Sequence, residues 1–280
     1  MSPAPGPLSG AAGRRFPALY NQLETVGPFY LFEFMDLPWL PESLRTTVRE
    51  VLEICLGEPP RQYYDWVVRE LLERAQREGI RTIVELGAGT APLSHRLGAI
   101  QKQTGGGITI EVSDLYPDVP LYQSLEKQFP GVIRGRIQPL DFSRPLEFQP
   151  ATLLALSGSF HHIPPGRRGA VLESLSGHRV AIFEPLQRNL PSLLTALGGV
   201  IPGLMTPFFY LRKRSTGHAR RMFWCWLVPL APLIIVWDGL VSCLRCWTEA
   251  EWRHAFGETN LREPKTLAFR TEALSHWIFW

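Results

Sequence analysis

The stretch Thr82–Leu97, TIVELGAGTAPLSHRL, constrains the fold more than any other part of the chain. A short apolar run suits a buried strand, and it ends in an acid, Glu85. A glycine turn follows at Gly87 and Gly89, and then a helical pattern with Pro92 in its first turn. A parallel sheet builds a nucleotide pocket at its edge in this way. Gly87 lets the backbone turn sharply, and Gly89 lets a ligand approach the main chain where a Cβ would block it. The helix start points free N–H groups at that ligand. The acid argues against a pyrophosphate, because two anions would repel. It suits a ligand carrying an amino group or a cationic sulfonium.

Glu85-Leu86-Gly87-Ala88-Gly89-Thr90-Ala91 resembles the first motif of the class I S-adenosylmethionine-dependent methyltransferases. Ala91 stands where that family usually has a third glycine. A dehydrogenase-type G-x-G-x-x-G fits less well, since its third glycine would fall on Pro92. Four further features follow in the family's order. Ile108–Asp114, ITIEVSD, reads as a second strand ending in an acid. By resemblance Asp114 accepts hydrogen bonds from the ribose hydroxyls, with Leu115 beside it. The other reading of Asp114 is the N-cap of a helix starting near Pro117. After a weak third strand near Ile133–Ile137 comes Pro139-Leu140-Asp141-Phe142. The resemblance sets Asp141 against the adenine amino group and Phe142 along the base. The other reading of Asp141 is a polar loop residue.

Ala151–Ile163, ATLLALSGSFHHI, is the apolar centre of a parallel sheet, ending in Ser157, a small-residue turn and two histidines. Arg179–Pro185, RVAIFEP, reads as a fifth strand after a helix over Pro165–Leu175 with its arginines outside. The resemblance implies an α/β, Rossmann-like sheet of seven strands. Its last strand is antiparallel and lies between the fifth and sixth. The strands near Lys265–Phe269 and His276–Trp280 would complete it, after a helix opened by the capping box Thr248 and Glu251. The expected organisation is a disordered tail (1–15), a helical N-terminal cap (16–79), a SAM-binding core (80–185), an apolar insert (186–247) and a closing helix with two strands (248–280).

The insert is the unusual part. Asn189–Leu211 and Met222–Trp237 contain no charged residue, and a basic link joins them: Arg212, Lys213, Arg214, Arg220 and Arg221. The pattern fits an apolar cap over an acceptor site, an element on or re-entering a membrane surface, or a spanning hairpin. Prolines 191, 202, 207, 229 and 232 argue against long regular helices. The net charge of +3 is too small to suggest nucleic acid. Cys243-x-x-Cys246 has no second ligand pair, so neither a zinc site nor a disulfide framework is expected, and a reducing cytoplasm fits. No apolar run follows the N-terminal arginines, as a signal peptide would require. The resemblance implies S-adenosylmethionine as cofactor, bound by Glu85, Gly87, Ala88, Gly89, Asp114, Leu115, Asp141, Phe142 and Ser157. A hydrophobic small molecule is the expected acceptor, with His162 and His161 the candidate bases. Two alternatives stay open: a membrane-associated enzyme for lipids or quinone-like compounds, and a SAM-binding subunit without catalysis. The oligomeric state is not readable.

Overall fold

The computed structural model describes residues 30–56, 61–212, 215–258, 268–272 and 275–279. The expected tail, the basic residues Lys213 and Arg214, and Trp280 lie outside them. Two helices come first, α1 (Glu42–Leu56) and α2 (Arg61–Arg77). The alternation that follows is β1 (Thr82–Leu86), α3 (Pro92–Thr104), β2 (Thr109–Ser113), α4 (Val119–Gln128), β3 (Ile133–Gly135), β4 (Thr152–Ser157), α5 (Pro165–Leu175) and β5 (Arg179–Glu184). The insert contributes α6 (Leu190–Gly198), α7 (Val200–Arg212), α8 (His218–Met222), a π-helical turn (Phe223–Leu227) and α9 (Leu230–Arg245). Helix α10 (Glu249–Glu258), β6 (Ala268–Glu272) and β7 (Ser275–Phe279) close the chain.

The sheet order is β3-β2-β1-β4-β5-β7-β6. Strands β1 to β5 pair in parallel, while β7 is antiparallel to both β5 and β6. The last strand is therefore interior, as the resemblance implies. Its two described side chains split between the faces. Phe279 joins the core beneath α2 and α3, with Val67, Leu71, Leu97 and Phe183. Ile278 joins the core beneath α5 and α10, with Leu172, Phe160 and Trp252. The switch point of the sheet falls between β1 and β4, whose crossovers lie on opposite faces, and ligands of open α/β sheets bind there.

Several local expectations meet the structure directly. Thr248 N donates to Glu251 Oε2 at 2.7 Å and Glu251 N donates back to Thr248 Oγ1 at 3.3 Å, which is the reciprocal capping box. The N-cap of α4 is Asp118, which accepts from Leu121 N at 3.1 Å; Asp114 is not the cap. One arginine of α5 is not outside. Arg168 is fully buried, donating to the carbonyls of Ile163 and His161 and lying 5.3 Å from the Trp247 ring centre. An isolated helix pattern could not anticipate these carbonyl and aromatic partners.

Candidate active site

The glycine turn adopts the backbone its residues anticipate. Gly87, Gly89 and Ala91 all have left-handed φ, at 66°, 54° and 52°, and Ala91 is the one non-glycine with positive φ among the described residues. The two glycines have different roles. A Cβ on Gly87 would fall 2.8 Å from Ser159 Cβ and 3.1 Å from Phe142, so this glycine lets three segments of the protein meet. A Cβ on Gly89 would have no atom within 4 Å, so this side of the turn is open. Ala88 N donates to Ser113 O at 3.0 Å, which fixes the turn against the end of β2.

Glu85 is fully buried at the end of β1. Its Oε2 accepts from Ser94 N at 3.0 Å and from Ser94 Oγ, while Oε1 has no hydrogen-bond partner. Burial pushes its pKa up to about 7 despite the Ser94 bonds that favour the anion. At the end of β4, Ser157 Oγ is likewise buried and unpartnered. Two adjacent strand ends thus each carry an unsatisfied oxygen beside the open turn. Such orphans are rare in folded proteins and fit a bound group with donors to offer. Asp114 lies across the turn. Its Oδ2 accepts from Gly89 N at 2.9 Å and its Oδ1 from Tyr116 N at 2.8 Å. Leu115 and Tyr116 beside it are exposed. Asp141 uses both oxygens on its own loop, accepting from Ser143 N at 3.0 Å, Ser143 Oγ at 2.6 Å and Arg144 Nε at 3.0 Å. Its local geometry is that of the polar loop residue, whereas Phe142 is brought against Gly87.

The histidines follow β4 directly. Ser159 Oγ donates to Leu86 O at 3.0 Å, tying their loop to the end of β1. His161 is buried, and its Nδ1 lies 2.7 Å from Oε2 of Glu184 at the end of β5. Phe160 N donates to the other Glu184 oxygen at 2.9 Å. Burial would raise the Glu184 pKa, but the charge and hydrogen bond of His161 outweigh it and hold the carboxyl down. Glu184 thereby orients the His161 ring through Nδ1. His162 differs. Its Nδ1 lies 3.1 Å from Asp36 and 3.5 Å from Glu33. Burial would lower its pKa, but Glu33 and Asp36 outweigh it and raise it to about 9. At neutral pH His162 is an imidazolium and no base. The two histidines thus sit in different surroundings, His161 against Glu184 and His162 against Glu33 and Asp36.

Around them is a network that sequence spacing missed. Glu33 and Asp36 each lie 3.0 Å from Arg245 of α9, and Asp238 accepts from Phe34 N and Met35 N at 2.8 and 3.1 Å. Tyr30 OH donates to His162 O at 2.9 Å. Two sets of side chains approach metal-ligand spacing, Glu33–His161–His162 and His161–Glu184–Cys246. In the first, Arg245 already neutralises Glu33 and the His162 proton blocks a ligand nitrogen. In the second, burial holds the Cys246 thiol well above its usual pKa, which disfavours the thiolate a metal needs. A cleft of about 1520 Å³ runs from Thr90, Leu115 and Tyr116 past α1 to Phe209 and to Asp36 at the edge of this network. Two ion pairs lie along it: Arg49 lies 3.2 Å from Asp118 and Arg45 3.8 Å from Glu42.

No protein-family model matches the sequence, and no curated protein matches it either. Among solved structures the chain is similar to magnesium protoporphyrin IX methyltransferase from Synechocystis with bound SAH, at 12% identity and a TM-score of 0.44, covering 87% of each chain. It is also similar to a putative O-methyltransferase from Nostoc punctiforme, at 10% identity and a TM-score of 0.49, over 91% of this chain and 64% of that one. A third is the plantazolicin methyltransferase in complex with a desmethyl substrate analogue and SAH, at 10% identity, a TM-score of 0.46, and 85% and 98% coverage. Likenesses this distant carry no chemistry across. The fold rests on the strand order, which matches the class I methyltransferase pattern, and the site on the side chains described above.

Proposed function

We propose that the protein transfers a methyl group from S-adenosylmethionine to an uncharged, hydrophobic small molecule. One observation carries the reading: the unpartnered Glu85 and Ser157 oxygens flank a glycine turn with open space at Gly89 and a carboxylate, Asp114, on its far side. In this reading Glu85 and Ser157 receive the amino-acid end of the cofactor, Gly87, Ala88 and Gly89 form the floor, and Asp114 takes the ribose. Leu115 and Phe142 border the base, with Asp141 at the periphery. Bound S-adenosylmethionine supplies an electrophilic methyl, which an acceptor lone pair displaces in line as S-adenosylhomocysteine leaves. The protein's main contribution is alignment of the two partners. For a hydroxyl acceptor, His161 Nε2 takes the proton while Glu184 steadies the imidazolium that forms. Five acids line the cleft against three arginines, which disfavours a polyanion such as nucleic acid.

Calorimetric titration tests the cofactor. Wild type should bind SAM and SAH, and Asp114→Ala should lose about 1–3 kcal/mol, the range for a hydrogen bond to a charged group. Gly89→Val should lose more. A wild-type protein that binds neither ligand ends the reading. Transfer of labelled methyl to a panel of hydrophobic phenols and quinols tests the chemistry. His161→Ala should lower kcat by about 10²–10⁴-fold with cofactor affinity retained. Binding without transfer to any acceptor would favour the non-catalytic subunit.

A further inference from the structure

The sequence left three placements open for the insert: an acceptor cap, a membrane-surface or re-entrant element, and a spanning hairpin. Its helices turn much of their apolar surface outward. Leu194, Ile201, Phe208, Leu227 and Leu233 are 51–75% exposed, and they lie on helices that pack against one another: α6 and α7 against α9, and α7 against the π-helical turn. Leu190–Arg212 is long and apolar enough to cross a membrane, yet only 28% of its most apolar window is buried. Core helices with such composition are mostly buried. Soluble monomers rarely expose contiguous apolar patches beyond about 300–600 Å².

We propose that this face docks into the interfacial layer of a lipid bilayer and lies in its plane. The first argument is polar closure. Each polar side chain in the two uncharged runs is satisfied within the protein. Asn189 accepts from Ser192 N and donates to Gln187; Ser192 Oγ accepts from Gln187 N. Thr195 and Thr206 donate to their own helices, at Pro191 O and Pro202 O. Tyr210 OH donates to Glu53. Trp224, Trp226 and Trp237 donate to Ser43 Oγ, Leu204 O and Phe32 O. The face therefore offers carbon alone. Hydrocarbon demands this, because an unsatisfied polar group there costs several kcal/mol. A protein partner would instead meet about one hydrogen bond per 100–200 Å².

The second argument is tethering, which separates lying in the plane from crossing. The amino end of the insert is held by the Gln187–Ser192 bond and by Arg188, which reaches Glu251 of α10 at 2.6 Å. Its far side returns to α1 through Tyr210–Glu53 and through Arg220 and Arg221, both bound to Glu50. The second helical pair, His218–Leu227 and Leu230–Arg245, is bent by 69° at its break. Both ends sit on the same folded unit, so neither run can place its termini on opposite sides. The same contacts occupy most of the described basic link. Arg220 and Arg221 face Glu50, and only Arg212 of the described link residues is free to face anionic lipid. Binding should therefore be driven by apolar burial and be insensitive to salt.

This proposal is independent of the methyl-transfer reading. It is tested by floating the full chain through a sucrose gradient with phosphatidylcholine vesicles, with and without phosphatidylglycerol, at low and high salt. Wild type should float with both lipids at both salts. The triple variant Ile201→Glu, Phe208→Glu, Leu227→Glu should partition roughly a hundredfold more weakly or worse. Its melting temperature should be unchanged, because these side chains are exposed. A wild type that stays at the bottom overturns the proposal, and so does a triple variant that floats equally well. If wild type does not float but sediments as a dimer that the triple variant splits, the face is a self-interface and the proposal is wrong. Retention of wild type through an alkaline carbonate wash overturns the in-plane placement. SAM titration of the triple variant reports on the methyl-transfer reading separately.

Discussion

At the scale of single residues, Ala91 shows how a departure from a family pattern can be read physically. Its φ of 52° is left-handed, a conformation that costs an L-residue roughly 1–2 kcal/mol. Its buried methyl returns about 0.8 kcal/mol. Ala91→Gly should therefore be neutral or stabilising by up to about 1 kcal/mol, whereas the same change inside a helix costs about 1 kcal/mol. Urea denaturation decides it, and a loss of 1 kcal/mol or more would contradict the argument. Glu85 makes a second prediction. With its pKa at about 7, the carboxyl is neutral in mild acid and cannot attract an ammonium group. SAM affinity should weaken as pH falls through about 7, with proton release on binding near neutrality. Glu85→Gln should abolish both, as calorimetry in buffers of different ionisation enthalpy would report. The strand, the acid and the glycine turn were legible because their residue types follow one another within a single short stretch, Thr82–Leu97. Glu33, Asp36, Asp238 and Arg245 were not, since their bonds span more than 200 positions. Glu184 could have been found: an acid ending an apolar strand, RVAIFEP, next in order after a histidine pair.

At the scale of elements, the insert marks where reading stopped. An uncharged run announces apolar helices but not which side faces the protein, because a helix apolar all round carries no stripe to orient it. The orientation is set by a few polar anchors instead. Arg221 is 2% exposed and shares Glu50 with Arg220. Glu50→Ala would leave a buried guanidinium uncompensated, which costs about 3–5 kcal/mol. Hydrogen exchange should then rise first in α7 and α8, where the anchor acts, before the sheet is affected. Uniform loosening of the whole chain would contradict a local anchor. The last strand was placed by the family resemblance, and the sheet order has it there, between β5 and β6. A chain ending at Ser275 loses β7, which pairs with both β5 and β6, and with it the buried Ile278 and Phe279. Each large buried side chain is worth about 2–5 kcal/mol on truncation, against a total stability of about 5–15 kcal/mol. That truncation should not melt cooperatively in circular dichroism.

At the scale of the whole molecule, ionisable groups, buried at Glu85 and Asp238 and half-buried at Asp36 and His162, join the N-terminal segment, the sheet and α9, and they tie stability to pH. Burial pushes the carboxyls of Glu85 and Asp238 up to about 7, so the unfolded chain holds fewer protons at these sites between about pH 4 and 7. Stability from this source falls as pH rises through that window. His162 acts next. Its folded pKa is raised from 6.5 to about 9 by Glu33 and Asp36 against the cost of burial. Its contribution is complete below pH 6.5 and is lost as pH climbs through 9. Asp36 limits the acid side: burial would raise its pKa, but His162 and Arg245 hold it at about 2, so its contribution persists above pH 3.8 and fades only in strong acid. Above pH 4 the first two sources both weaken as pH rises, while that of Asp36 is constant. The ligand-free protein should therefore be most stable in mild acid and should lose stability steadily toward pH 9. Urea midpoints at half-unit intervals from pH 4 to pH 9 measure this. His162→Gln should flatten the alkaline limb, between pH 6.5 and 9, while leaving the slope between pH 4 and 7. Saturating SAM should flatten that lower slope instead, because its ammonium offsets the cost of ionising Glu85. A wild-type midpoint that is constant or rising from pH 6.5 to 9 would mean that His162 does not hold its proton against Glu33 and Asp36. The assignment of His161 rather than His162 as the base would then lose its electrostatic ground.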